Sequence, residues 1–369
     1  MISANNWTLS KIGDFLEVTN GKTNTDDAII GGNYPLFDRS TEIKRSNKFL
    51  FDTEAIIIPG EGKEFYPRYY QGKFDLHQRA YAIFPKQDKK LNLKYLYYWI
   101  HHNQNYLLKM AVGSTVKSLR LYMLRNFPLS FPNIEVQQKI VNILTSVDDE
   151  IQKTDQIIQK TEVLKQGLMQ LMLTKGQTVS IKEIATVKRG ASPRPIGDPS
   201  YFAETGRGWI RIADVTSSYK YLNETSQYLS KSGEEASVKV DQGDLIMSIC
   251  ATVGKPIFVN IPACIHDGCV VFRNLKKSII DPDFFFYSLL YNEGQLRSKG
   301  QTGSQMNLNT TIVEKTKIQI PELTKQKKIV RILKSIDQKL DFYSQERKRL
   351  QKLKKGIMQD IFSQKLQIN

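Results

Sequence analysis

The chain has 369 residues, 40% of them hydrophobic, and sets 53 Lys and Arg against 37 Asp and Glu, a formal net charge of +16 with a pI near 9.5. That length supports two or three domains with real cores, and the basic balance points to a polyanion, nucleic acid first, although ribosomal and anionic-membrane surfaces also fit. No apolar run nears the roughly 20 residues that cross a bilayer, and the opening residues lack a signal-peptide pattern. Three cysteines, Cys250, Cys264 and Cys269, make no disulfide framework, so a reducing cytoplasm is expected.

In chain order, the first segment opens Trp7-x-Leu9-x-x-Ile12-Gly13-Asp14 and reaches a Gly21-Lys22-Thr23 turn. Apolar runs over 54–60 and 79–85, bounded by turn signals, predict strands. A helix over 93–110 follows. Its Tyr95, Tyr97, Tyr98 and Trp99 could be taken for a base-stacking platform, but their crowding on one helix predicts core packing. Gly113-Ser114 and Pro132 then lead to a helix start near Glu135. From there Ile140, Leu144, Val147, Ile151, Ile158, Leu164, Leu168 and Leu171, with Thr154 and Thr161 in the gaps, step by three and four. The pattern is one apolar stripe on a helix of about 40 residues, roughly 60 Å long.

The chain then says almost the same thing again. Pro132-Asn-Ile-Glu-Val-Gln137-Gln-Lys-Ile140-Val-Asn-Ile-Leu144 returns 189 residues later as Pro321-Glu-Leu-Thr-Lys-Gln326-Lys-Lys-Ile329-Val-Arg-Ile-Leu333, and Leu164-Lys165-Gln-Gly167 as Leu353-Lys354-Lys-Gly356 in the same register. More weakly, Ile12 to Gly21 lines up with Ile181 to Gly190, His77 with His266, and Gly113-Ser114 with Gly303-Ser304. Strands are predicted over 243–249 and 268–273, a helix over 283–299, and a second stripe through Ile329, Leu333, Ile336, Leu340, Tyr343, Leu350, Ile357 and Ile361.

Two equal stripes supply each other's partner. The predicted class is therefore α+β: two tandem α/β globules joined by two long helices in an antiparallel coiled coil, with a pseudo-twofold internal repeat. Expected boundaries are 1–133 and 176–321 for the globules, 134–175 and 322–369 for the helices. The helix length exceeds the roughly 34 Å between successive same-side grooves of a duplex, so both globules could reach one DNA molecule. Basic residues crowd the second helix, among them Lys327, Lys328, Arg331, Arg347, Lys348, Arg349, Lys352, Lys354 and Lys355. They are either solvated surface or a second docking face, and the sequence does not choose.

Candidate DNA-reading groups are sought in loops that mix polar, basic and aromatic residues. The first copy offers Lys22, Thr23, Asn24, Arg39, Lys44, Arg45, Lys63, Arg68, Tyr69, Gln78, Arg79, Lys117 and Arg120. The second offers Arg189, Ser192, Arg194, Arg207, Arg211, Thr216, Lys255, Gln301, Thr302, Ser304, Gln305 and Asn307. Arg and Lys suit guanine and phosphate, Asn and Gln suit adenine. Any one alone reads as ordinary surface; only the sets point to DNA.

Catalytic and metal-binding patterns are superficial or absent. Asp52 with Glu61-Gly-Lys63 superficially matches the acids of Mg²⁺-dependent nucleases, but the equivalent loop at Gly254-Lys255 has no acid. Cys264-x-His266-x-x-Cys269 with Cys250 holds zinc-ligand residue types, yet the first copy keeps His77 with Asp75 and Ala80 in place of the cysteines, so buried, unligated thiols and no metal are expected. Neither a Walker loop nor an Asn-Pro-Pro-Tyr-like stretch is present, and no catalytic residue is expected on this chain.

The ordered, duplicated set resembles the DNA sequence-specificity subunit of type I restriction-modification systems over essentially the whole chain. Its carriers are the Trp7 to Asp14 opening, the Gly21-Lys22-Thr23 turn, Gly113-Ser114, and the Pro132…Gln137-x-x-Ile140…Leu144 helix start with its second copy. Trp209-Ile-Arg211-Ile-Ala-Asp214 resembles the family's Trp-x-Arg-x-x-Asp segment, which the first copy lacks. The resemblance implies two target-recognition domains, each reading half of a bipartite double-stranded DNA sequence, with the helices as a ruler for the spacer. It also implies two docked methyltransferase subunits that supply S-adenosylmethionine-dependent adenine methylation in a bacterial or archaeal cytoplasm. Restriction subunits that use ATP and Mg²⁺ can then join, and no cofactor would belong to this chain. Competing readings are a Mg²⁺-dependent nuclease, the detached specificity portion of a methyltransferase-nuclease, and a purely structural coiled-coil scaffold.

Overall fold

The computed structural model describes residues 7–86, 91–298, 308–366 and 368. The chain divides into two compact units, Met1–Gln156 with Ser344–Asn369, and Ile157–Tyr343. Each unit therefore takes part of both long helices, Ile134–Leu173 and Leu323–Phe362. Among the described residues no helix is long and apolar enough to cross a membrane.

Unit 1 holds a six-stranded sheet in the order Leu16–Asn20, Ala80–Pro85, Phe51–Pro59, Arg68–Leu76, Tyr34–Phe37, Lys44–Ser46. Its pairs are antiparallel except that Tyr34–Phe37 runs parallel to Arg68–Leu76. Strand alternation loads both faces with apolar side chains. Ile56, Ile58 and Ile83 share a core with Tyr95, Leu96 and Ile100 of the helix Leu93–His102, while Ala55, Ile57 and Phe74 pack with Phe37 and Leu76. The aromatic helix is thus core, as its crowding predicts.

Unit 2 uses two five-stranded sheets where unit 1 uses one of six. The first runs Thr186–Arg189, Cys269–Arg273, Leu245–Ser248, Pro256–Val259, Tyr221–Leu222, and the second Phe202–Ala203, Tyr228–Leu229, Arg207–Ile210, Ala263–Ile265, Val238–Val240. The single helices expected over 93–110 and 283–299 are each broken at an asparagine. Asn103 separates Leu93–His102 from Gln104–Met110, and Asn292, its counterpart, separates Pro282–Tyr291 from Glu293–Ser298. Each amide turns back onto the carbonyl four residues earlier, Trp99 at 2.9 Å and Ser288 at 2.7 Å. That local bond competes with helix continuation.

A two-stranded ribbon precedes each long helix: Thr8–Lys11 with Pro128–Phe131, and Gln177–Ser180 with Lys317–Ile320. The repeated glutamine explains itself at the helix start. Gln137, 1% exposed, accepts from the Asn92 N–H at 2.9 Å and donates to the Pro132 carbonyl at 2.8 Å. Gln326, fully buried, accepts from the Asp281 N–H at 2.9 Å and donates to the carbonyls of Ile279 and Pro321, both at 2.8 Å. One side-chain amide thereby satisfies backbone groups of the segments that lead into the long helix and into the aromatic helix, groups that would otherwise be costly to bury.

Within unit 1 Asp148 pairs with Lys354 at 2.6 Å and Asp155 with Arg347 at 3.1 Å. One heptad forward on the first helix is one heptad back on the second, which is antiparallel pairing. Unit 2 repeats it with Lys165 and Asp337 at 2.6 Å. Of the expected stripe, Ile140, Leu144, Ile329, Leu333 and Ile336 are buried, and Val147, Ile151, Ile158, Leu168, Leu340, Leu350 and Ile357 are half-buried. Leu164 corrects the reading: it is 55% exposed, and Leu171 is 56% exposed. The three-four step passes from Thr161 to Lys165, one residue and about 100° further round the helix, and Lys165 takes the inward position.

Candidate nucleic-acid interface

Both units build the same turn around their repeated histidine. Gly21 N–H donates to Ala80 O at 3.3 Å and Gly190 N–H to Cys269 O at 2.8 Å, residues that correspond in the repeat. A Cβ on Gly21 would lie 1.9 Å from the Leu76 carbonyl oxygen, and one on Gly190 2.2 Å from that of His266, so only glycine lets the two backbones approach. Nδ1 of His77 accepts from Arg79 N–H at 3.0 Å, and Nδ1 of His266 from Gly268 N–H at 2.9 Å. Burial lowers the pKa of both imidazoles, which suits rings that act as acceptors.

What the shared turn carries differs. In unit 1 it brings together Thr23, bridged to His77, and Gln78, whose amide donates to Asn24 Oδ1 at 2.6 Å. Glu61 receives Arg79 at 2.8 Å and Arg39 at 3.0 Å. Burial opposes the charge on Glu61, yet the two guanidiniums hold its carboxyl below the ordinary carboxylate range. Lys22 is exposed beside this group, and Lys63, Lys117 and Arg120 are exposed around the short pair Glu61–Gly62 with Lys117–Ser118. Lys44 is bound to Asp38 at 2.8 Å, and Arg68 to the Ser40 carbonyl at 2.5 Å.

In unit 2 the centre is Asp267. It receives Arg189 at its carbonyl (2.7 Å) and Ser192 and Arg194 at its carboxylate (3.1 and 2.9 Å). Trp209 lies buried under His266 with ring centroids 5.6 Å apart. Asp214 accepts from the Arg211 N–H and from Ser226 Oγ, both at 2.9 Å, and Arg211 donates to the same Ser226 at 2.8 Å. The Trp-x-Arg-x-x-Asp segment is thus a floor, a hydrogen-bonded turn and an arginine held beside the histidine turn. Thr216 meets Thr252 at 2.8 Å and receives Lys255 at its carbonyl at 2.8 Å.

Several candidates are placed otherwise than a loop reading expects. Lys44, Arg45, Arg68, Tyr69, Lys117, Arg189 and Arg207 lie on strands, and Thr216 on the helix Ile212–Ser217. A strand that is polar on one face mimics a loop in sequence. Tyr69 bonds Glu54 at 2.5 Å and packs against the core shared with the helices. Arg45 folds back onto the carbonyls of Gly32 and Asn33, and Arg207 onto those of Val240 and Ala263. Gln301, Thr302, Ser304, Gln305 and Asn307 lie outside the described residues. Sequence reasoning missed Glu61 and Asp267 as organisers; an acid opposite several arginines was the available signal.

The nuclease-like pair is separated in space, since Asp52 lies at the start of the extended strand Phe51–Pro59 and Glu61 just beyond its far end, on the short strand Glu61–Gly62. Cys264 parts from Cys269: Cys264 packs with Trp209 and Leu229, Cys269 in the core with Ile246 and Val271. Burial pushes the Cys264 thiol up to about 11, away from the thiolate a metal would need. Among the described residues no group of three or more His, Cys, Asp or Glu could hold a metal ion.

The family model for the type I restriction modification DNA specificity domain matches residues 4–163 and again 175–352. The Methanocaldococcus jannaschii type I restriction enzyme MjaVIII specificity subunit is 23% identical over 98% of this chain and 93% of its own length. The Escherichia coli type I restriction enzyme EcoDI specificity subunit is 26% identical over 44% of this chain and 37% of its own. Among solved structures, the type I restriction-modification S subunit from M. genitalium superposes with a TM-score of 0.65 at 17% identity, over 97% of this chain and 96% of that one. With one matched domain in each half and the duplicated turn and helix start beneath them, the chain belongs to the type I restriction-modification DNA specificity family.

Proposed function

We propose that this chain is the DNA-recognition subunit of a type I restriction-modification complex, each globule reading one half of a bipartite double-stranded target. The observation that carries this reading is the common turn with unlike contents: Glu61 with two arginines in unit 1, and Asp267 with Arg189, Ser192 and Arg194 in unit 2. One scaffold presenting two different polar sets suits two different half-sites. Lys and Arg would position the duplex through phosphates, and the polar sets would choose bases. The long helices would set the spacer and dock two methyltransferase subunits. S-adenosylmethionine, ATP and Mg²⁺ would belong to those partners and to restriction subunits, leaving this chain without catalysis and in the cytoplasm.

The test is to exchange residues 1–131 for a homologous globule and map methylated adenines in cells that carry the modification subunits. One half of the modified sequence changes and the other stays. A change in both halves contradicts separate reading, and methylation that ignores this chain altogether removes the specificity role. Shortening the helix Ile134–Leu173 by whole turns, with matching loss from its partner, should alter the tolerated spacer.

A further inference from the structure

The two long helices are copies in their apolar stripe and opposites in charge. Ile134–Leu173 carries 4 Lys and 6 Asp or Glu, whereas Leu323–Phe362 carries 12 Lys or Arg and 4 Asp or Glu. Half of the net charge of +16 therefore resides on one helix. In its unit 1 part, Lys348, Lys352 and Lys355 follow at steps of four and three, with Lys348 and Lys352 on the side away from the stripe residue Leu350 and Lys355 at the rim of the groove it lines with Lys354 and Asp148. All three are exposed, and none has an acidic partner among the described residues. One repeat earlier the same outward positions hold Gln159, Val163 and Gln166. The unit 2 part has Lys327 and Arg331 where the first helix has Gln138 and Asn142.

A feature present in both copies serves something met twice; a feature present in one copy serves something met once. The helix start and its buried glutamine are duplicated because each unit closes the same internal joint there. The cationic face is not duplicated, and a single duplex is the polyanion met once. We infer that the outward face of the C-terminal helix at Lys348, Lys352 and Lys355 is a sequence-independent contact to the phosphate backbone of duplex DNA, separate from the base-reading turns. This rests on the DNA-recognition reading above. Along the helix the three lysines are about 6 and 4.5 Å apart, close to the spacing of successive phosphates, and lysine meets phosphate as a point charge that carries no base information.

The experiment uses the full chain and the variant Lys348→Gln/Lys352→Gln/Lys355→Gln, measured by fluorescence anisotropy on target and non-target duplexes across a salt series. The slope of log affinity against log salt should shrink by about 2 to 3, near 0.9 for each lost phosphate contact, equally on both duplexes. The Lys→Arg triple should keep the slope. Circular dichroism melts that match the parent exclude unfolding as the cause. An unchanged slope overturns the inference, and an unchanged slope with weaker capture of modification subunits assigns the face to an acidic protein instead. A loss confined to target DNA also overturns it. If the parent chain shows no target preference while the triple still lowers the slope, the recognition reading fails and the phosphate contact stands.

Discussion

Units 1 and 2 solve the same joint with the same three side chains and then part company at a fourth. In unit 1 Asp148 receives Tyr98 at 2.8 Å and Lys354 at 2.6 Å; in unit 2 its counterpart Asp337 receives Tyr287 and Lys165, both at 2.6 Å. Each lysine also lies over its tyrosine ring, at 5.2 and 5.8 Å. Unit 2 adds Tyr219, whose hydroxyl reaches Asp337 at 2.8 Å and also accepts from Lys165. The Asp337 side chain is 12% exposed against 34% for Asp148. The repeat thus keeps the polar anchor that ties an aromatic helix to both long helices, and lets the loop-borne additions drift. A largely buried ion pair adds little net stability over an apolar joint but defines register, because any slip strands a charge.

Removing the acid from each side separates the two joints most. Asp337→Ala leaves Lys165 buried without its partner and should cost about 3–5 kcal/mol in urea unfolding. Asp148→Ala, in the more open clamp, should cost about 1–3 kcal/mol. Equal losses would show that Tyr219 and the deeper burial add nothing. The glutamines test the opposite expectation, equality: Gln137→Ala and Gln326→Ala should each cost about 1–3 kcal/mol, since each leaves buried backbone groups unpaired. A loss on one side only would mean that the helix starts have diverged.

In the proposed interface the units should separate by half-site. Arg79→Ala should weaken methylation for one half of the target and Arg194→Ala for the other, each by roughly tenfold if a base contact worth about 1–3 kcal/mol is lost. Both arginines are exposed, at 57% and 68%, so little stability should change.

The smallest effect concerns acid. Unit 1 contains His77, His101 and His102 and unit 2 His266, and burial lowers the pKa of all four from 6.5. A base whose folded pKa lies below its unfolded value takes up its proton first in the unfolded chain, so stability falls as pH drops below 6.5 towards the folded values. Calorimetry between neutral pH and mild acid should find unit 1 losing Tm faster than unit 2. Identical pH slopes would refute the assignment.

From the residues alone came the duplication, the two forty-residue helices and their mutual pairing. These follow from period: a stripe at steps of three and four has one geometry, and the same stripe twice provides its own partner. Local chemistry also marked the aromatic helices as core. Only the tertiary structure decided that Lys165, one residue past Leu164, turns inward, because Asp337 on the other helix and Tyr219 from the globule stand there to receive it. It likewise decided which cations are occupied: Arg45 and Arg207 are bound to carbonyls, Tyr69 packs against the helices, and Arg79 and Arg194 are exposed beside acids far away in sequence. Charge and polarity are visible residue by residue. The partner that spends or frees each charge is brought by long-range folding, and no local pattern encodes it.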